Sequence, residues 1–122
     1  MSDSAFTTEV VAYPGVATAT AFRIAGHVRY TGAPELRREV LDALATADRP
    51  TLVIELGQVD EMDTAGAAVL VEAVLAGREH GRQVLLCSPS ESVMRIFRLA
   101  GFEEALGASC PTADETRRRL AG

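Results

Sequence analysis

Apolar and polar positions fall along this chain in blocks that predict a strand hairpin followed by alternating helices and strands. The most apolar block, Thr51-Leu52-Val53-Ile54-Glu55-Leu56, is short, β-branched and nearly continuous. That is the pattern of a strand covered on both faces, and so of the centre of a sheet. After Gly57 a short acidic stretch through Asp60 and Glu61 reads as a loop. The pattern turns helical from Met62-Asp63-Thr64-Ala65-Gly66, with Asp63 placed as N-cap. Upstream, Thr7 to Ala12 and Val16 to Ala25 read as two strands joined by the turn residues Tyr13-Pro14-Gly15, which favours a hairpin. In the second strand Ala17, Ala19, Ala21 and Arg23 alternate with Thr18, Thr20, Phe22 and Ile24, predicting one buried face and one open or partly open face. Gly26 to Thr31 reads as the exit loop of that strand.

Helical spacing recurs between these blocks. Pro34 suits a first helical turn, and Leu36, Val40, Leu41 and Leu44 form one stripe, with Pro50 stopping the helix before the central strand. Strand, helix, parallel strand is the natural connection. The helix after Thr64 carries Ala67, Ala68, Val69, Leu70, Val71, Ala73, Val74 and Leu75 and is apolar almost all round. One face must pack on the sheet, and the remainder is either covered by neighbours or forms an exposed patch. Gly81 reads as its C-cap, and His80 as a cation at the helix end or a solvated residue. Gln83 to Cys87 predicts another strand. Ser88-Pro89-Ser90-Glu91 reads as a capping box with Ser88 as N-cap, opening a helix with Val93, Met94, Ile96, Phe97, Leu99 and Ala100 toward the core. Gly101 ends it, and Phe102 to Leu106 reads as a short edge strand. Thr112 with Glu115 repeats the capping signal for a last helix whose Arg117, Arg118 and Arg119 form a solvated end or contact an acidic partner.

Thr64 is the position with chemical opportunity. A helix start carries unpaired N–H groups and roughly half a positive charge, so a phosphate on a hydroxyl there is favoured by the helix. Glu55, Asp60, Glu61 and Asp63 oppose it. Phosphorylation would change the local field sharply without creating a buried contact, as a binding switch requires.

Two runs, V-D-E-M-D-T-A-G before an apolar helix and Q-V-L-L-C-S-P-S-E-S-V-M-R-I-F-R-L-A-G-F, resemble STAS-domain proteins of the bacterial anti-sigma factor antagonist (anti-anti-sigma factor) type. The resemblance implies an α/β fold: a single STAS domain over residues 1–122, with a core of about 7–106 and a C-terminal helix of about 112–120. It would hold a mixed sheet of four to five strands, an N-terminal hairpin then β-α-β-α-β crossovers, with about four helices. It implies phosphorylation at Thr64 by a partner that is both anti-sigma factor and serine/threonine kinase, with a PP2C-type phosphatase to reset it. ATP and Mg²⁺ belong to that kinase. The implied contact surface is Asp60, Glu61, Met62, Asp63, Thr64, Ala65, Gly66 and Ala67, with Val71, His27 and Arg29 around it. One departure stands out: where the family commonly reads G-E-L-D, this chain has Gly26-His27-Val28-Arg29. Arg29 is a ligand for phosphate or a partner carboxylate, or a solvated arginine. Two other partners fit the same fold, an ATPase of a lipid-transport ABC system with this chain as its cytoplasmic STAS subunit, or a small ligand sensed in a polar pocket.

Composition narrows the field further. With 122 residues, 48% hydrophobic and 24% charged, the chain suits one globular domain. A net charge of −5 argues against direct nucleic-acid binding, which needs a basic face. No apolar run approaches the roughly 20 residues of a bilayer span, and Met1-Ser2-Asp3-Ser4 lacks the basic and apolar start of a secretory signal. A cytoplasmic monomer or weak dimer is expected. Cys87 reads as a core residue and Cys110 as a loop or helix-edge thiol, with no metal-ligand spacing. Phosphate-cradling glycine loops and a nucleophile elbow are absent. No catalytic residue, metal or cofactor is expected.

Overall fold

A computed structural model describes residues 5–106 together with Glu115, Arg118 and Leu120. The hairpin comes first. Strand β1 (Phe6–Ala12) pairs antiparallel with β2 (Ala19–Val28). Helix α1 (Ala33–Thr46) then leads to β3 (Thr51–Met62), helix α2 (Thr64–Glu79) to β4 (Gln83–Cys87), and helices α3 (Glu91–Leu99) and α4 (Glu103–Leu106) follow. Both crossovers join parallel neighbours, so the four strands lie in the order β1-β2-β3-β4. The architecture is a mixed α/β sheet of four strands with four helices among the described residues.

One sheet face carries Phe22, Ile24, Leu52, Ile54, Leu56 and Leu86, which pack with Leu36, Val40 and Leu44 of α1, Leu70 and Val74 of α2, and Val93 and Phe97 of α3. These are the positions that strand and helix periodicity mark as inward. The opposite face is covered too. Ala19, Ala21, Val53 and Cys87 are buried with Tyr13, and Leu120 packs against them. β2 is therefore buried on both faces over Ala19 to Phe22, where alternation alone predicted an open one. The small alanine side chains let a covering segment approach closely.

Four readings of the sequence need correction. The acidic stretch after Gly57 is the second half of β3, and Gly26-His27-Val28 belongs to β2. Opposite Arg23 to Ala25, and again opposite Gly26 to His27, β3 carries one extra residue, because Glu55 pairs with Arg23, Gln58 with Ala25, Val59 with Gly26 and Glu61 with His27. Each bulge shifts the inward positions by one, so the buried residues Leu56, Val59 and Met62 follow each other at three-residue intervals instead of two. Ser88 adopts φ 53, turning the chain so that Ser90 caps α3, its hydroxyl accepting from Val93 N–H at 3.2 Å. Phe102 to Leu106 holds the short helix α4, with the Phe102 ring edge-on to Phe97 at 6.4 Å. The C-terminal helix and Cys110 lie largely outside the described residues.

The hairpin depends on Gly26. It sits at φ 107, and a Cβ there would lie 2.4 Å from the Ala5 carbonyl oxygen, which already accepts the His27 N–H at 2.9 Å. Gly26→Ala should therefore cost about 2–4 kcal/mol by urea unfolding, from backbone strain plus the displaced β1. A loss below about 0.5 kcal/mol, the range of an ordinary surface substitution, would contradict this placement.

Candidate functional site

The end of β3 delivers Asp63 to the start of α2 at an extended backbone conformation, φ −101 and ψ −178. Four bonds converge on this residue. Its Oδ1 accepts the Gly66 N–H at 3.2 Å and its Oδ2 accepts the Tyr30 N–H at 2.8 Å. Its own N–H donates to the Val28 carbonyl, and its carbonyl accepts the Ala67 N–H, both at 3.1 Å. Asp63 thus caps the helix and ties down the connection between β2 and α1, using both carboxylate oxygens. Bonds to an ionised acceptor are stronger than neutral ones, but the Tyr30 bond is exposed to solvent and orders the connection more than it adds to global stability.

Gly66 completes the frame by close approach. A Cβ at this position would stand 2.7 Å from Val28 Cγ1 and 3.0 Å from Met62 Cγ. The absent side chain lets the first turn of α2 lie directly on the ends of β2 and β3.

Thr64 occupies the first helical position and is exposed. Beside it the eleven residues picked from the sequence divide by burial. Asp60, Glu61, Thr64 and Arg29 are exposed, while Asp63, Ala65, Val71 and His27 are half-buried. Met62, Gly66 and Ala67 are buried and shape the site from inside. The structure brings His27 and Arg29 to the same carboxylate: His27 Nδ1 lies 3.4 Å and Arg29 Nη2 3.6 Å from Glu61 Oε2. The His27 contact is an ion-pair distance without hydrogen-bond geometry, since Nδ1 is shielded and makes no hydrogen bond. Arg29 and Glu61 are each 55% exposed, so their pair contributes little to stability, about 0–1 kcal/mol.

Two features were not singled out from the sequence. Tyr30 stands 73% exposed directly after Arg29, a large aromatic held at the site by its backbone N–H. Its only advance signal was an aromatic residue in a polar connection. Along α2, a groove lined by Val71, Val74, Leu75 and Phe102 runs toward α4. Leu75 is half exposed, so part of the apolar surplus of α2 is left at the surface. On the other side of the sheet Arg23, Glu55, Gln58 and Ser88 line a polar depression, with Arg23 Nε donating to Glu55 at 3.0 Å.

The mixed four-stranded sheet, with the capped start of α2 at the end of β3, defines the class as a small α/β domain. The chain belongs to the STAS-domain family, whose model matches residues 7–117. An anti-sigma factor antagonist from Mycobacterium paratuberculosis has the same fold, with a TM-score of 0.76 at 20% identity over 96% of this chain and 95% of that one. The Bacillus cell fate determinant SpoIIAA, in its phosphorylated form, is similar at a TM-score of 0.66 and 14% identity, covering 93% of this chain and 99% of that one. A sulfate transporter family protein from Wolinella succinogenes is similar at 0.71 and 18%, covering 85% of each chain. At such identities the likeness is one of fold.

Asp63→Ala should destabilise the protein by about 1–2 kcal/mol through the lost cap and speed amide exchange at Tyr30. Asp63→Asn separates the two roles, because its Oδ1 can still cap while its amide nitrogen cannot accept from Tyr30. Faster exchange at Tyr30 with little change in unfolding midpoint is the expected result for Asn. Unchanged exchange in both variants would remove Asp63 from the tether.

Proposed function

We propose that this chain is an anti-sigma factor antagonist, a non-catalytic module acting in the cytoplasm and switched by phosphorylation at Thr64. The observation that carries the reading is the exposed Thr64 hydroxyl at the first position of α2, directly after the capping Asp63. In the unmodified state the chain binds an anti-sigma factor that is also a serine/threonine kinase, and so frees a sigma factor. The partner transfers the γ-phosphoryl group of ATP to Thr64 Oγ1, releasing ADP and the hydroxyl proton. A phosphatase of the PP2C type hydrolyses the ester and resets the switch.

The physical support is local. A phosphate adds about −1.5 to −2 charges at neutral pH beside Asp60, Glu61 and Asp63. The helix start tolerates that charge, so the fold survives while the surface seen by a partner inverts from neutral hydroxyl to concentrated anion. The contact surface is built on Asp60, Glu61, Thr64 and Ala65, with Tyr30, Val71 and the Leu75 groove as its apolar part and His27 and Arg29 on its rim. Of these, Tyr30 and Arg29 are of the residue types that most often carry interface energy, while the aliphatic side chains supply complementary area. The chain acts as a single domain, monomeric or weakly dimeric, and holds no nucleotide of its own.

A second reading, in which the same surface docks on a transport system such as the ATPase of a lipid-transport ABC system, draws only on the occurrence of this fold in a sulfate transporter family protein. Among the described residues no helix is long and apolar enough to cross a membrane.

Tagged wild type, Thr64→Ala and Thr64→Glu should separate these readings in lysate of the native host. Wild type and Thr64→Ala are expected to retain an ATPase of the histidine-kinase-like fold, and Thr64→Glu to bind it at least about tenfold more weakly, a change of 1.4 kcal/mol. Thr64→Glu should remain as stable as wild type or gain about 0.3–1 kcal/mol from the helix dipole, so its loss of binding will not be a loss of fold. Equal binding by Thr64→Glu would sink the switch, and capture of a transporter ATPase would select the second reading.

A further inference from the structure

The charge cluster beside Thr64 has an arrangement that the switch does not by itself explain. Glu61 Oε2 faces two basic side chains, His27 at 3.4 Å and Arg29 at 3.6 Å, where one would suffice for a surface carboxylate. Arg29 has the longest side chain of the three. Its side chain is 55% exposed and its contact with Glu61 is longer than a hydrogen bond. Its backbone, by contrast, is held on both sides: the Val28 carbonyl accepts from Asp63 N–H and the Tyr30 N–H donates to Asp63 Oδ2. Arg29 is therefore pinned against the residue that immediately precedes Thr64, with a long side chain free to swing.

We infer that Arg29 is a phosphate-binding residue for Thr64, and that in the modified protein its guanidinium leaves Glu61 and closes on the phosphomonoester. The inference rests on phosphorylation of Thr64 as proposed above and specifies what the modified site does next. Three considerations favour the exchange. A phosphate presents up to twice the charge of a carboxylate and three acceptor oxygens, which suit the planar fork of an arginine. Glu61 is not stranded by the departure, since its side chain is 55% exposed and the carboxylate is open to water. The other charges that face Thr64 from its own segment, Asp60, Glu61 and Asp63, all repel the phosphate, so a cation from the β2–α1 connection meets no competitor there.

The exchange gives the modified state its own surface. Arg29 would move off the rim and partly neutralise the new anion, while Glu61 would be released toward the partner. The result is a switch that reads out as a rearranged charge pattern, in addition to simple repulsion. It also accounts for a basic residue in a place that would otherwise deepen the acidic rim.

The test uses the full chain carrying phosphothreonine at position 64, incorporated during synthesis so that no kinase is needed. The ³¹P resonance is followed through the second phosphate ionisation, ordinarily near pH 6, in the wild-type background and in Arg29→Gln, Arg29→Lys and His27→Gln. The wild-type midpoint is expected below that of Arg29→Gln by on the order of one unit, a tenfold change in proton affinity. Arg29→Lys should recover part of the shift, because it keeps the charge without the fork, and His27→Gln should recover nearly all of it. All four backgrounds are read for folding from their amide spectra. Identical midpoints in wild type and Arg29→Gln would overturn the assignment, as would a midpoint governed by His27 alone. Failure of the lysate experiment would leave this titration standing, and failure of the titration would leave partner binding untouched, so the two readings fall separately.

Discussion

The Asp63 carboxylate holds together the part of this molecule on which its chemistry depends. One oxygen satisfies the Gly66 N–H inside the first turn of α2, and the other accepts from Tyr30 across the gap to the β2–α1 connection. A single charged side chain thereby turns a helix start, a strand end and a loop into one frame. The neighbouring residues make sense only with that frame in place. Met62 and Val28 fill the space beneath it, and Gly66 has no side chain because both occupy the position its Cβ would take. Thr64 is left as the outward residue, on a rigid base.

The acidic approach to this frame follows from the geometry of β3. Beyond Glu55 the strand has β2 as its only strand neighbour among the described residues, since β4 pairs with Thr51 to Glu55. Two bulges in this half turn Asp60 and Glu61 outward while Val59 and Met62 remain inside. Bulges commonly re-aim side chains beside functional sites. Here they create the charged rim that Arg29, just past the end of β2, partly neutralises, with the His27 imidazole beside it. The charge balance around Thr64 is thus set by strand register as much as by composition.

Much of this was legible in the sequence, and what was not has physical causes. The Asp63 cap and the bounds of β4 depend on local chemistry and a regular period, and the structure places both as read; of the α1 stripe Leu36, Val40 and Leu44 are buried as read, while Leu41 is half-buried and Ala43 takes an inward place. The outer half of β3 was hidden because bulges convert the two-residue strand period into three-residue steps that look like a loop. Ser88 and Ser90 present the same hydroxyl two residues apart, and only the left-handed turn at Ser88 decides which one caps α3. α4 is four residues long, too short for any period to separate it from a strand; the acidic pair Glu103 and Glu104 at its start was the available hint. On the second sheet face Leu120, far along the chain, packs against Ala19, Ala21 and Val53, a contact that no local pattern of β2 encodes. At the site itself, the hydroxyl and its cap were readable, whereas the clamp through Tyr30 joins residues 33 apart in the chain and could come only from the fold.

On the proposed function, phosphorylation of Thr64 changes the surface of this molecule while keeping its frame. Backbone amide hydrogen exchange at Tyr30, Gly66 and Ala67, compared between the unmodified chain and one carrying phosphothreonine at position 64, tests that claim most directly. The account predicts that all three amides keep their protection, because the Asp63 bonds persist and the helix dipole favours the added charge. Loss of protection across these residues would show that modification melts the start of α2, and the switch would then be one of order and disorder instead of surface charge.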